Sequence, residues 1–303
     1  KACGVKYLDI EYQDIYLRRF PDLDKYLPYN SFSRRNIGDL FAYDNGYEII
    51  IRIDDDNYPT DEDFIGMHSK VGSKYDKTIV SAQGGWYNVC EELIDLDNIP
   101  FYPRGFPYSK RWASDQISVN SNSVKVVLNA GLWLGDPDVD AVTRLCKPIN
   151  ADKYKRTHGD TFALNNGTWC PINTQNTSYS REIIPASFVP PNVGRYDDIW
   201  CGYLLRKITD HLDHYVTYGS PLLFQKRNLH NLWDDLENEI NGNIFTDHLI
   251  QTLNSITLKG TSYGDCYYEL AEKLDETLSE NRVVFDGVIE GMKIWSDSIN
   301  TLS

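Results

Sequence analysis

Positive charge is in short supply in this chain. Its 303 residues carry 30 Lys and Arg against 44 Asp and Glu, a formal net charge of −14. A surface of that sign excludes a nonspecific grip on nucleic acid or on an anionic membrane, and any anionic ligand needs a local cation. Long apolar runs are missing too: no stretch reaches the ~18 consecutive apolar residues that a membrane-crossing helix needs. The opening residues carry no secretory leader pattern. The six cysteines (Cys3, Cys90, Cys146, Cys170, Cys201 and Cys266) are scattered without a C-x-x-C pair or finger spacing, which points to reduced, mostly buried thiols and a cytosolic setting. Two sequons, at Asn166 and Asn176, have meaning only in a secreted protein.

The content is otherwise that of a folded globular protein. Apolar residues make up 41% of the chain, enough for one large domain with a smaller annex. The acidity is uneven: residues 231–303 hold 14 Asp and Glu against 4 Lys and Arg, so the last quarter differs in character from the rest. The chain opens on Lys1, and KACGVKYLDI reads as a helix end running into a strand, GVKYLD. A segment upstream is therefore expected.

Further on, SRRNIGDLFAYDNG is compatible with a helix that stops on Gly46. YEIIIRI is a nearly continuous β-branched run, expected as a strand buried on both faces of a parallel sheet. Thr60 with Asp61 to Asp63 can start a helix, and KTIVSAQ supplies another strand. Strand, loop and helix alternate, which predicts an α/β fold with a mixed, mostly parallel, Rossmann-like sheet flanked by helices. Later, Trp200, Leu204 and Ile208 mark a helix from Tyr196 onward, and HYVTYG a strand. Tyr267, Leu270, Leu274 and Leu278, then Val284, Val288, Met292, Trp295 and Ile299, mark two amphipathic helices whose stripes are packing faces.

The chemistry-bearing residues sit between these elements. Asp54, Asp55 and Asp56 end the strand YEIIIRI, where ligands of α/β sheets bind. A polar turn explains them, and so does a hard divalent cation, Mn²⁺ or Mg²⁺, bridging two phosphates. RGFPYSKR places Arg104, Lys110 and Arg111 around a turn, where cations can reach a phosphate or lie on the surface. NAGLWLGDPDVDA sets Trp133 beside Asp136, Asp138 and Asp140, either a carbohydrate platform or a core Trp beside a capped turn. GRYDDIW offers Arg195, Asp197 and Asp198, of which one acid suffices as a helix cap and the other is free to act as a base. FQKRNLHN adds Lys226, Arg227 and His230, a His that is either structural or completes a metal shell.

In this order, IDDDNYP, RGFPYSKR, GLWLGDPDVDAVTRLCKP, GRYDDIWCGY and GDCYYELAEKL resemble the reversibly glycosylated polypeptides, the UDP-arabinopyranose mutases, and related glycosyltransferases of the GT-A fold. The resemblance covers more than three quarters of the chain. It implies a GT-A nucleotide-sugar-binding catalytic domain over residues 1–230, its first strand and helix lying upstream. An acidic helical region over 231–303 would pack on that domain or on a partner subunit. It further implies Mn²⁺ or Mg²⁺ at Asp54 to Asp56 with His230, and a UDP-sugar contacted by Asp54, Arg104, Lys110, Trp133, Asp138, Asp140, Arg195 and Arg227. Homo- or hetero-oligomers and a cytosolic or Golgi-surface location follow from the same likeness.

The implied reaction interconverts pyranose and furanose forms of a UDP-pentose, with transient glycosylation of an arginine that matches Arg111. Guanidinium stays protonated near neutrality, so a carboxylate must assist, and Asp197 or Asp198 are the candidates. Trp112-Ala113 stand where the family has an acid-glycine pair, and Gln225 where it has a His. Two alternatives remain: a transferase acting on a separate acceptor, and a noncatalytic nucleotide-sugar-binding subunit.

Overall fold

The computed structural model describes residues 5–113, 115–278 and 282–302. Its strands are β1 (Ile49–Ile53), β2 (Asn57–Pro59), β3 (Ser73–Ala82), β4 (Leu93–Asp95), β5 (Ile117–Gly135), β6 (Ala151–Tyr154), β7 (Thr161–Leu164), β8 (Asn176–Ser180) and β9 (Tyr215–Gln225). Its helices are α1 (Ile10–Leu17), α2 (Pro21–Tyr26), α3 (Arg35–Asp44), α4 (Phe64–His68), α5 (Ala141–Cys146), α6 (Asp197–His211), α7 (Leu232–Ser255), α8 (Tyr263–Thr277) and α9 (Arg282–Asn300).

The sheet runs β1-β8-β5-β3-β7-β9-β2, with β4 paired to β6 and β6 to the end of β5. It is mixed and helix-flanked as expected, but antiparallel pairings outnumber parallel ones: among the described strands only β3–β7 and β5–β9 pair in parallel. An apolar run does not encode strand direction. β1 shows the consequence, since it is an edge strand antiparallel to β8 and only half-buried, not a central strand covered on both faces. Its inward residue is a cation: Arg52 donates to the Asp39 carboxylate of α3 at 2.6 Å, both side chains buried.

Other expectations shift locally. Residues 5–9 are irregular where GVKYLD was expected to form a strand, and Lys1 to Gly4 lie outside the described residues. α4 begins at Phe64, without a side-chain cap from Asp63, instead of at Thr60. GLWLG belongs to β5, a 19-residue strand whose polar first part, ISVNSNS, is exposed. Of the described cysteines, Cys90, Cys170, Cys201 and Cys266 are buried free thiols and Cys146 is an exposed one.

The core is shared between the sheet and the C-terminal helices. Trp200 of α6 stacks on Phe285 of α9 with centroids 4.9 Å apart, and Phe188 lies 5.4 Å from Trp295. Met292, Trp295 and Ile299, the stripe read from periodicity, are all buried. Among the described residues no helix is long and apolar enough to cross a membrane.

Candidate functional site

β1, β5 and β9 run in one direction, because β5 is parallel to β9 and each of β1 and β5 is antiparallel to β8. Their carboxyl ends therefore open on the same side, where α/β sheets take their ligands. A cleft of about 420 Å³ lies there, walled by Asp54 to Asp56 after β1, by Asp138 and Arg104 from the loops, by Thr174 and Gln175 ahead of β8, by Arg195, Asp197 and Asp198 at the start of α6, and by Gln225, Arg227, Asn228 and His230 at the end of β9.

The carboxylates are not equivalent. Asp138 is buried and sits far below the usual carboxylate range, because Arg104 donates to it from Nε at 2.9 Å and Nη2 at 3.0 Å, outweighing the cost of burial. The same guanidinium reaches Asp198 at 3.2 Å, so Arg104 clamps two acids from separate segments. Among the described residues Asp197 has no such partner; its Oδ1 accepts from the Asp198 N–H, at 2.8 Å. Burial, reinforced by the neighbouring Asp198 charge, pushes Asp197 up to about 7. Asp54 is pushed up to about 6, chiefly by burial and against the pull of Arg35, whose Nη2 donates to it at 3.2 Å. Asp55 is exposed, while Asp56 accepts from Asn57 Nδ2 at 3.0 Å and Gln225 Nε2 at 3.4 Å.

Six aspartates and four arginines thus face one another across the cleft. The donors after β1 are all carboxylate oxygens, the set that hard divalent ions prefer. Among the described residues no three His, Cys, Asp or Glu side chains gather into a metal-holding group. His230 lines the cleft but does not join the aspartates; its Nδ1 lies 3.2 Å from Asp235 Oδ1. The residues fit an ion that takes its remaining ligands from phosphate and water, as Mg²⁺ ordinarily does, and do not form a closed cage.

Four expected site residues are elsewhere. Lys110 is exposed on the 3₁₀ turn Tyr108–Lys110. Trp133 is buried on β5 and belongs to the core. Arg111 is buried: its Nη2 donates to Asp140 at 2.5 Å, its Nε to the Phe106 carbonyl at 3.1 Å, and its guanidinium lies 3.8 Å from the Tyr108 ring centre. Asp140 caps α5 as well, through the Thr143 N–H at 2.7 Å. The carboxylate at Arg111 is therefore Asp140, not Asp197 or Asp198. Of the aspartates in GDPDVDA only Asp138 reaches the cleft, because Asp136 is paired with Arg144 and Asp140 with Arg111.

Arg35, Thr174, Gln175 and Asn228 were not singled out from the sequence. Arg35 had a readable signal: two arginines, Arg34 and Arg35, open a helix, where the dipole disfavours cations unless an acid pairs with them. The polar run holding Thr174 and Gln175 carries no pattern that marks a site.

The fold and cleft define a mixed α/β protein with a charged cleft beyond the carboxyl ends of its strands. Residues 25–303 match the family described as Reversibly glycosylated polypeptide, and the chain belongs to that family. It is 30% identical over 210 residues to UDP-arabinopyranose mutase 3 of Arabidopsis thaliana, an alignment covering 67% of this chain and 54% of that protein. It is equally 30% identical over 210 residues to probable UDP-arabinopyranose mutase 2 of Solanum tuberosum, with 67% and 54% covered. Against UDP-arabinopyranose mutase 1 of Oryza sativa subsp. japonica the identity is 27% with the same coverage. The chain spans about half the length of the curated relatives it matches.

Proposed function

We propose that the chain acts on a UDP-sugar, opening its sugar–phosphate bond and interconverting pyranose and furanose forms of a UDP-pentose. One observation carries the reaction: Asp197, an acid in the cleft wall that among the described residues forms no ion pair and that burial pushes up to about 7 against the more distant pull of Arg104 and Arg35, beside Arg104-clamped Asp198. Family membership and the names of the relatives support a UDP-sugar as the substrate class.

In this reading the anomeric carbon–oxygen bond breaks and its electron pair leaves with UDP. A different hydroxyl then bonds to the anomeric carbon and gives up its proton. The bond from that carbon to the original ring oxygen breaks with its electron pair left on the oxygen, which takes up a proton, and UDP re-forms its bond to the anomeric carbon. Asp197 takes the proton of the hydroxyl that attacks and returns one to the oxygen released, a role that suits an acid titrating near pH 7. Asp54 and Asp56 would hold Mn²⁺ or Mg²⁺, which supplies Lewis acidity to charge developing on the departing diphosphate. Arg195 and Arg227 face the phosphates.

Transient glycosylation of Arg111 belongs to the same proposal and places a demand on it. Arg111 must leave Asp140 to reach the cleft, and Asp140 is the carboxylate placed to accept its proton. Calorimetric titration with UDP, with and without Mn²⁺, tests the binding half for wild type and Asp56→Asn. Binding that needs Mn²⁺ and weakens in the variant is expected. Absence of UDP binding under both conditions would overturn the reading.

A further inference from the structure

Three side chains on the cleft wall, Arg195, Arg227 and His230, share one carboxylate, and it comes from the acidic C-terminal region. Asp235, in the first turn of α7, forms an ion pair with Arg195 Nη1 at 3.3 Å, accepts from Arg227 Nη2 at 3.2 Å and lies 3.2 Å from His230 Nδ1. One turn on, Glu239 accepts from Arg195 Nε at 2.9 Å and, with its other oxygen, from the Ala141 N–H at 2.7 Å.

The docking of α7 that delivers these acids is close. A Cβ on Gly242 would lie 2.0 Å from the Tyr196 ring, and one on Gly194, whose φ is +66°, 2.2 Å from the Asn238 carbonyl oxygen. Tyr196 donates its hydroxyl to Asn243 at 2.7 Å, and Trp200 Nε1 donates to Thr246 at 3.0 Å. The helix is thereby held in one register against the segment that carries Arg195, Asp197 and Asp198.

Arg227 shows what the arrangement leaves open. Its side chain is 9% exposed, and its Nε is buried with no hydrogen-bond partner among the described residues. A buried donor without an acceptor costs free energy that a bound acceptor would restore. Arg144 and Arg195 crowd the same guanidinium with like charge. Both facts describe a place for an anion.

We propose that Asp235 is a positioning residue that holds Arg195, Arg227 and His230 in the posture that receives the diphosphate of a nucleotide sugar. The inference rests on the nucleotide-sugar reading above and adds that the C-terminal helices complete the ligand site. Sign separates it from a simple field effect. Removing a negative charge favours an anion through the field alone, whereas losing the shared anchor disfavours it.

The test is calorimetry on the full chain with two probes, UDP and inorganic pyrophosphate, for wild type, Asp235→Asn, Asp235→Glu and Arg227→Lys. Asp235→Asn is expected to weaken both probes on the order of 10- to 100-fold, by analogy with the loss of an outer partner of a metal-ligating side chain. Asp235→Glu should restore part of the loss. Arg227→Lys, which keeps the charge and removes the Nε donor, should reproduce it, and these two variants carry the test if Asp235→Asn does not fold. Unchanged or tighter binding in Asp235→Asn, or in Arg227→Lys where that variant carries the test, overturns the proposal, and so does an Asp235→Glu no better than Asp235→Asn. A wild type that binds pyrophosphate but not UDP removes the nucleotide-sugar reading while the pyrophosphate titrations still decide the role of Asp235. A wild type that binds neither overturns both.

Discussion

Replacing Asp197 with Asn should stabilise the fold, by an amount that grows with pH. In the folded chain Asp197 is pushed from its ordinary value of 3.8 up to about 7 by burial and by Asp198. A raised acid holds its proton more tightly when folded, so between the two values the folded chain binds a proton that the unfolded chain has released. Stability from this group is then lost as pH rises through that window, at about 1.4 kcal/mol per pH unit and roughly 4 kcal/mol over its whole width. Sharing of charge with Asp198 and partial access to water reduce this, and about half is a fair expectation. Asn keeps an acceptor for the Asp198 N–H, whose bond to Asp197 is 2.8 Å long, and has no charge to bury. Urea unfolding of wild type and Asp197→Asn at about pH 5 and pH 8 reads the effect directly. The stability advantage of the variant should increase by about 1–3 kcal/mol between the two conditions. Asp54 shifts in the same direction but is present in both chains and cancels. A difference that does not change with pH, or a variant less stable at pH 8, would refute the reasoning.

Arg52→Met should cost about 3–5 kcal/mol in urea unfolding, because it leaves the buried Asp39 carboxylate without its partner at 2.6 Å. Gly242→Ala should cost about 1–3 kcal/mol by driving a Cβ into the Tyr196 ring, and should reduce the rise in melting temperature produced by UDP; an unchanged melt would mean that α7 is not held there. Gln225→His sets an imidazole beside Asp56, which Gln225 now reaches at 3.4 Å, and should tighten Mn²⁺ binding as followed by paramagnetic titration. If the chain carries its sugar on Arg111, intact mass after incubation with a UDP-pentose rises by one pentose in wild type and not in Arg111→Ala. A variant that still gains that mass moves the acceptor elsewhere.

Local patterns were legible and pairings across the fold were not. The stripe from Val284 to Ile299 and the helix starting at Asp197 follow from periodicity, and the cleft-side position of Asp54 to Asp56 follows from three acids at a strand end. Strand direction is not carried by a run such as EIIIRI, and the polar first part of β5 hides a strand. The arginines explain most of the rest. Which aspartate each one holds is decided by contacts across 29 residues for Arg111 and Asp140, and 34 for Arg104 and Asp138, distances no local motif reports. Arg111 draws Asp140 away from the cleft and Arg144 draws Asp136, while Asp197 stays in the cleft wall with no ion pair among the described residues. Arg35 and Asp235 lie outside the five resembling segments, so nothing in those segments marked them.

The most direct test of the account is to incubate the chain with UDP-arabinopyranose and Mn²⁺ and separate the furanose form by chromatography, for wild type and Asp197→Asn. The account predicts interconversion by wild type and a loss on the order of 10²–10⁴-fold in the variant, with UDP binding retained. Wild type that binds UDP but forms no furanose, or an Asp197→Asn variant as fast as wild type, would contradict it.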